Sequence, residues 1–420
     1  ASLQTILGIT DTEAEKLRGM VITSGRGYQN LVDTTSDADE GGGERDPATP
    51  PFSSFVTYLL DGLRADPKDV KALVLRNPRV LSTSSSAVDE VSEWLQKDMG
   101  LSQANVVRLL VRFPEAGRLS VEHNLKPTVA WFCKELETDN QGVAKMLRHS
   151  PRILGRNVEN SLEPRLRWLE ERLKISRKRA TNLGRTFPGL FIYSAEKKLE
   201  PTLSWLQQRL GIVHESEVLA MVVAAPTMLS MNVETGIEPK LTWLRDRLGL
   251  SPEEICGLVR LSPLILVRSV ENSLEPKVTW LEDNLGLNVE EVKVLMLRYP
   301  AIMGASLEKN LKLKLPWLKA TFGVSHEEAV ALFRRSAVLL ALSVKDNLDP
   351  KVAFFRKEMQ ASDAELRLSL FRNPSILQGS LEKRIRPRVA ALKEAGIKPM
   401  FLDHAAPVIL WSSPKFRAFL

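Results

Sequence analysis

TGIEPKLTWLRDRLGLSPEEICGLVRLSPLILVRSVENSLEPKVTWL, residues 235–281, contains its own beginning twice. Trp243 follows Pro239 by four residues, and Trp280 follows Pro276 by the same four, so the stretch spans one period of 37. The same seven residues, VENSLEP, stand at 158–164 and again at 270–276, three periods away. Extended in both directions, the proline slot reads Pro127, Pro164, Pro201, Pro239, Pro276, Leu313, Pro350 and Pro387. The aromatic slot reads Trp94, Trp131, Trp168, Trp205, Trp243, Trp280, Trp317 and Phe354. A second proline series, out of phase with the first, runs Pro78, Pro114, Pro151, Pro188, Pro226, Pro263, Pro300, Ser336, Pro374 and Pro407. A fixed period of this length predicts an array of stacked units rather than one globule.

Each unit reads as two helices. Leu162, Leu166, Leu169 and Leu173 keep a 4-3-4 spacing that places them on one helical stripe, as do Leu199, Leu203, Leu206 and Leu210. The proline near the start of this first helix costs nothing, because first-turn amides have no helical acceptor. The second helix opens on capping boxes: Ser251 with Glu254, Asn288 with Glu291, Ser325 with Glu328 and Ser362 with Glu365. It ends at the second proline, and the short apolar stretch that follows is expected to form a 3₁₀ turn. Residues 7–21 repeat the second-helix pattern, with Thr10 and Glu13 as the box, so 1–21 is read as a partial repeat. The polar, acidic and Gly/Pro-rich residues 22–52 are read as a disordered linker, and 53–420 as the array.

Composition narrows the function. No apolar run approaches the roughly 20 residues that span a bilayer. Cys133 and Cys256 sit in separate helical contexts, and the five histidines are scattered, so neither a disulfide framework nor a metal site is expected. No phosphate loop, zinc-protease or serine-nucleophile motif is present, which points away from an enzyme and from a cofactor. The chain begins at Ala1, and no targeting peptide is visible in it.

The charge is uneven. The whole chain carries +7, and its first 50 residues hold nine acidic and four basic side chains, which leaves +12 on the array. Residues 145–185 contain twelve Lys or Arg against four Glu. Inside that stretch Arg177, Lys178 and Arg179 replace the Glu-Glu that opens sister helices. Cations there oppose the helix dipole by about 0.3–1 kcal/mol each, whereas a phosphate at that end would be favoured. The three are therefore candidate phosphate contacts; otherwise the turn is a solvated face balanced by Glu170 and Glu171.

A second candidate is serial. Arginine stands two or three residues before the second proline slot at Arg76, Arg112, Arg148, Arg185, Arg260, Arg298, Arg334 and Arg372. One arginine per unit would form a charged stripe that tracks a phosphate backbone, although a helix C-terminus favours cations in any case. Arg156 and Arg268 hold equivalent places after the short apolar stretch and are added to the stripe. The tryptophans are assigned to packing between units; Tyr193 and Tyr299 are the better candidates for base stacking.

The composite pattern LxPxxxWLxxxLGLSxEExxxLxxxxPxIL resembles the mitochondrial transcription termination factor (mTERF) family over nearly all of 53–420. A tetratricopeptide unit, of 34 residues, requires a Trp-Leu-Gly-Tyr arrangement in its first helix that is absent here, and pentatricopeptide arrays lack the second proline series. The resemblance implies an all-α solenoid (superhelix) of about nine or ten repeats, each two helices and a short turn. It implies nucleic-acid binding, to double-stranded DNA or to RNA, on a basic concave face. It further implies a role in transcription, its termination or RNA metabolism in mitochondria or chloroplasts, and a monomer is expected. The alternative from the residues alone is a protein-binding helical scaffold.

Overall fold

The structure, a computed structural model, describes residues 7–22, 54–82, 85–396 and 411–419. The expected linker at 22–52 lies outside the described residues, apart from Ile22. The fold is all-α, with no strand among the described residues. Two compact units divide at Ser204 and Trp205. Each is a stack of helical repeats in which an element packs mainly on its sequence neighbours and on the next repeat.

Every full repeat begins earlier than its proline. In Val158–Leu162 and Val270–Leu274, the first five residues of each VENSLEP copy form one π-helical turn, and the first helix proper continues as Glu163–Leu173 and Glu275–Leu285. The turn is capped at each occurrence by a small polar side chain: Ser120, Asn157, Ser194, Asn232, Ser269, Ser306, Ser343 and Ser380 each accept from the backbone N–H three residues on. Such a cap contributes about 1 kcal/mol. The leucine that closes the turn, Leu162 or Leu274, is fully buried with the rest of the 4-3-4 stripe. All five capping boxes read from the sequence, Thr10 with Glu13 included, are formed. The short element after the second helix is a 3₁₀ turn at Pro151–Gly155 and Pro226–Ser230, but a single α-turn at Leu264–Val267, Ala301–Gly304 and Val338–Ala341. One turn is too short for the two hydrogen-bond patterns to differ much in energy.

Packing between repeats uses three recurrent devices. The aromatic slot is buried or half-buried, and its indole N–H reaches the acidic residue before the next proline slot: Trp243 donates to Glu275 and Trp317 to Asp349. Phe132 and Phe191 are fully buried and stack edge-on with Trp131, at centroid distances of 5.1–5.7 Å. Gly184 is required beside them, since a Cβ there would lie 2.6 Å from the Phe191 ring.

The third device was not read from the sequence. At six repeats among the described residues the residue after the proline slot donates to a main-chain carbonyl 23–28 residues on, whereas Lys240, at the same place, donates to the Gly236 carbonyl of its own turn. Thr128 reaches the Arg156 carbonyl and Arg165 that of Tyr193. Lys277 reaches Met303, Lys314 reaches Leu342, Lys351 reaches Leu377, and Arg388 reaches Trp411. Those carbonyls are the orphans that any helix end leaves, so the donors satisfy a real need. Lys277, Lys314 and Lys351 are at most 2% exposed, and their hydrogen-bond acceptors are neutral. Burial pushes Lys314 down to about 7 and Lys277 and Lys351 down to about 8, with the Arg268 charge adding to the effect on Lys277.

The folded chain releases these protons near pH 7–8, the unfolded chain near 10.5. Between those values the unfolded state binds more protons, so stability rises with pH and is lowest below about 7. Thermal unfolding at constant ionic strength should therefore give a higher midpoint at pH 9 than at pH 7, with a smaller increment in Lys314→Met. Equal increments in the two proteins would remove Lys314 from the explanation.

Candidate nucleic-acid interface

The serial arginines divide into two uses. In the first unit, helices Pro67–Arg76 and Gln103–Arg112 flank a groove of about 780 Å³ lined by Arg64, Arg76, Arg108 and Arg112, with Asp66 and Asp69. Arg108 and Arg112 also line a small cleft with Arg148, so the five arginines form one continuous surface. All are exposed, and none has a carboxylate partner among the described residues. Arg112 donates to the backbone carbonyl of Arg148 at 3.2 Å, which leaves its charge uncompensated. Asp66 is occupied as the cap of Pro67–Arg76.

The basic stretch of the same unit is only partly available. Arg167 pairs with Glu163, and Arg172 with Glu200. Lys145, Arg148, Arg152, Lys174, Lys178 and Arg179 are exposed without an ion-pair partner among the described residues; Arg185 is exposed and donates to Asn182 at 3.0 Å.

Arg177 departs from the expectation that it stands ready for a phosphate. Its five N–H donors are all used, at 2.7–3.1 Å: Nε and Nη2 on Glu135, Nη1 and Nη2 on Glu163, Nη1 on Glu170. These bonds raise its already high proton affinity and hold the Glu163 carboxyl below its usual range. The cause lies one repeat earlier. Where Arg172, Arg209 and Arg247 each pair with the Glu before the next proline slot, the equivalent position holds Glu135. Glu135 and Glu163 would repel, and Arg177 bridges them.

In the second unit the slot is largely absorbed by the scaffold. Arg260 donates to the carbonyls of Leu210 and Gly211 at 2.6 Å, and Arg334 to that of Gly286 at 3.0 Å. Gly211 and Gly286 sit at positive φ, two residues past Glu200–Arg209 and one past Glu275–Leu285, where the exposed carbonyl lacks a helical donor. Arg298 lies over the Tyr299 ring at 5.6 Å, beside a mostly apolar cleft of about 300 Å³ that includes Phe333 and Arg334. Tyr299 is thus a cleft wall, while Tyr193 is exposed at the surface. Arg372 is exposed with no partner among the described residues. Arg156 and Arg268 are half-buried.

Arg64 and Arg108 were not singled out from the sequence. Arg108 was findable, since it precedes Arg112 by one helical turn and shares its face. Arg64 was not: it occupies a left-handed position (φ 51°) that glycine holds at Gly100 and Gly211, and no periodic charge marks it.

Among the described residues no group of His, Cys, Asp or Glu could hold a metal ion, and no helix is long and apolar enough to cross a membrane. The family model for mTERF matches residues 52–201 and 243–417, most of the chain. No curated protein matches it.

Proposed function

The chain belongs to the mTERF family, and on that premise we propose that it binds nucleic acid through the exposed arginines of its first unit. The observation that carries the reading is a surplus of charge without internal partners: Arg64, Arg76, Arg108 and Arg112 around one groove, continued by Arg148. Arg167, Arg172 and Arg177 each have a carboxylate partner, whereas these arginines form no ion pair among the described residues, although Asp66 and Asp69 line the same groove. Lys178, Arg179 and Arg185 are further candidate contacts on the same unit, and Arg298 and Arg372 on the second. Arg177, Arg260 and Arg334 act as scaffold.

Each phosphate neutralised would release condensed counterions, so affinity would fall steeply with salt. Double-stranded DNA is the first expected ligand, with RNA the alternative. The role is in organellar transcription, its termination or RNA metabolism, in mitochondria or chloroplasts. The competing reading, a protein-binding scaffold, draws on the apolar cleft beside Tyr299 in the second unit.

The test is binding to duplex DNA, single-stranded DNA and RNA of equal length across a salt series. Engagement of five to eight phosphates would give a slope of log K against log salt of about −4 to −7 on duplex DNA. Absence of binding to all three at low salt would overturn the proposal in favour of the scaffold.

A further inference from the structure

Arg156 and Arg268 each stand immediately before the cap of a VENSLEP turn, at Asn157 and Ser269, three repeats apart. Nine residues later comes the inward-facing cation of the same repeat, Arg165 or Lys277. The two cations of each elbow are close enough that Arg156 lowers the proton affinity of Arg165, and Arg268 that of Lys277, each after the larger effect of burial.

Among the described residues no carboxylate pairs with either cation of an elbow. Arg165 spends its donors on the carbonyls of Tyr193 and Ser161 and on the Ser161 hydroxyl. Lys277 repeats that arrangement with the Met303 carbonyl and the Ser273 hydroxyl. Nε of Arg156 and Nε of Arg268 are both buried with no acceptor among the described residues. The remaining edge of the Arg268 guanidinium makes one long bond, 3.3 Å, to the Gly304 carbonyl. The Arg156 side chain has no partner among the described residues. Glu271, near in sequence, is engaged by the Ser269 hydroxyl and feels the Lys240 charge instead.

Folded chains seldom leave a buried donor unmade or two like charges adjacent without a counter-charge. This chain supplies carboxylates elsewhere: Arg172, Arg177 and Arg247 each have at least one. The uncompensated pair recurs at the same repeat position, so it is a built feature rather than an accident of one loop.

We propose that each elbow is an anion site, in which the half-exposed edge of Arg156 or Arg268 holds a phosphate group and Arg165 or Lys277 supplies the second positive charge behind it. A guanidinium fork matches two phosphate oxygens, which favours phosphate over a halide. That the phosphate is a nucleic-acid phosphodiester rests on the reading under Proposed function; inorganic phosphate is the other source of the same chemistry.

The experiment uses the full chain, with Arg156→Gln, Arg268→Gln and the double variant. Thermal unfolding is followed in chloride and in inorganic phosphate at matched ionic strength, and oligonucleotide binding at fixed salt. Wild type should gain a saturable rise in midpoint with phosphate. In chloride, Arg156→Gln should unfold at the same temperature as wild type or higher, because a like charge and an unmade donor are gone. The double variant should lose the phosphate response and bind the oligonucleotide roughly tenfold more weakly.

A lower midpoint for Arg156→Gln in chloride, with the phosphate response intact, would show a structural arginine and overturn the inference. So would an oligonucleotide affinity unchanged in the double variant together with no response to phosphate, and that result leaves nucleic-acid binding itself standing. A phosphate response lost in the variants of a chain that binds no oligonucleotide would uphold the sites, assign them to free phosphate and refute the nucleic-acid reading.

Discussion

Changing Arg76, Arg108 and Arg112 together to alanine is expected to weaken nucleic-acid binding by about a hundredfold near 0.1 M salt and to reduce the magnitude of the salt slope by about 3. The three line one groove, are exposed, and pair with no carboxylate among the described residues. Each would contribute one phosphate contact, and each contact carries a slope of about 0.9. Exposed arginine-to-alanine changes should alter stability by no more than about 0.5 kcal/mol each, so unfolding curves serve as the control. Anisotropy titrations at four salt concentrations measure both quantities. Lys178→Ala with Arg179→Ala should reduce the slope by about 2 more if that helix shares the interface. A triple variant that loses affinity uniformly at all salt concentrations would mean that the groove acts through shape and not through charge.

Arg177→Ala is expected to lower stability by about 2–3 kcal/mol, somewhat below the 3–5 typical of breaking a buried pair, because the side chain is 35% exposed. It leaves Glu135, Glu163 and Glu170 facing one another without their bridge. In wild type the Arg177 bonds depress the Glu163 pKa, so that contribution is present above the ordinary carboxylate range and is lost as pH falls through the folded value. In the variant the carboxylates take up protons more readily. The gap between the two proteins should therefore be widest near neutral pH and narrow below about pH 4.5. Denaturant unfolding at pH 7 and pH 4 measures it. Arg177→Lys should recover only part of the loss, since one ammonium cannot make the fork contacts of a guanidinium. If instead Arg177→Ala unfolds like wild type and binds nucleic acid poorly, Arg177 returns to the interface.

The period, the two helices and the caps were legible because each depends on residues within one or two turns. Ser251 and Glu254 need only each other, and Leu162, Leu166, Leu169 and Leu173 need only the helical repeat angle. The π-turn is not legible because the cap before VENSLEP, Asn157 or Ser269, accepts from the N–H three residues on whether the first turn closes at four residues or five. The series Thr128, Arg165, Thr202, Lys240, Lys277, Lys314, Lys351 and Arg388 recurs at the period of the prolines. It went unread because a lysine in a helix is ordinarily a solvated side chain.

The site was less legible than the fold, and Arg177, Lys178 and Arg179 explain why. They are consecutive, equally charged and on one helical turn, so no local rule separates them. A step of one residue turns a helix by about 100°, and that rotation sends Arg177 to Glu135, 42 residues earlier, while Lys178 and Arg179 face water. The sequence by itself determined an all-α repeat array, its period and a surplus of positive charge, because periodic burial and end-capping are local properties of the chain. Only the tertiary structure decided which cations are spent on neighbouring repeats and which remain for a ligand. Charge compensation is settled between side chains that meet across repeats, and those pairings exist only once the repeats are stacked.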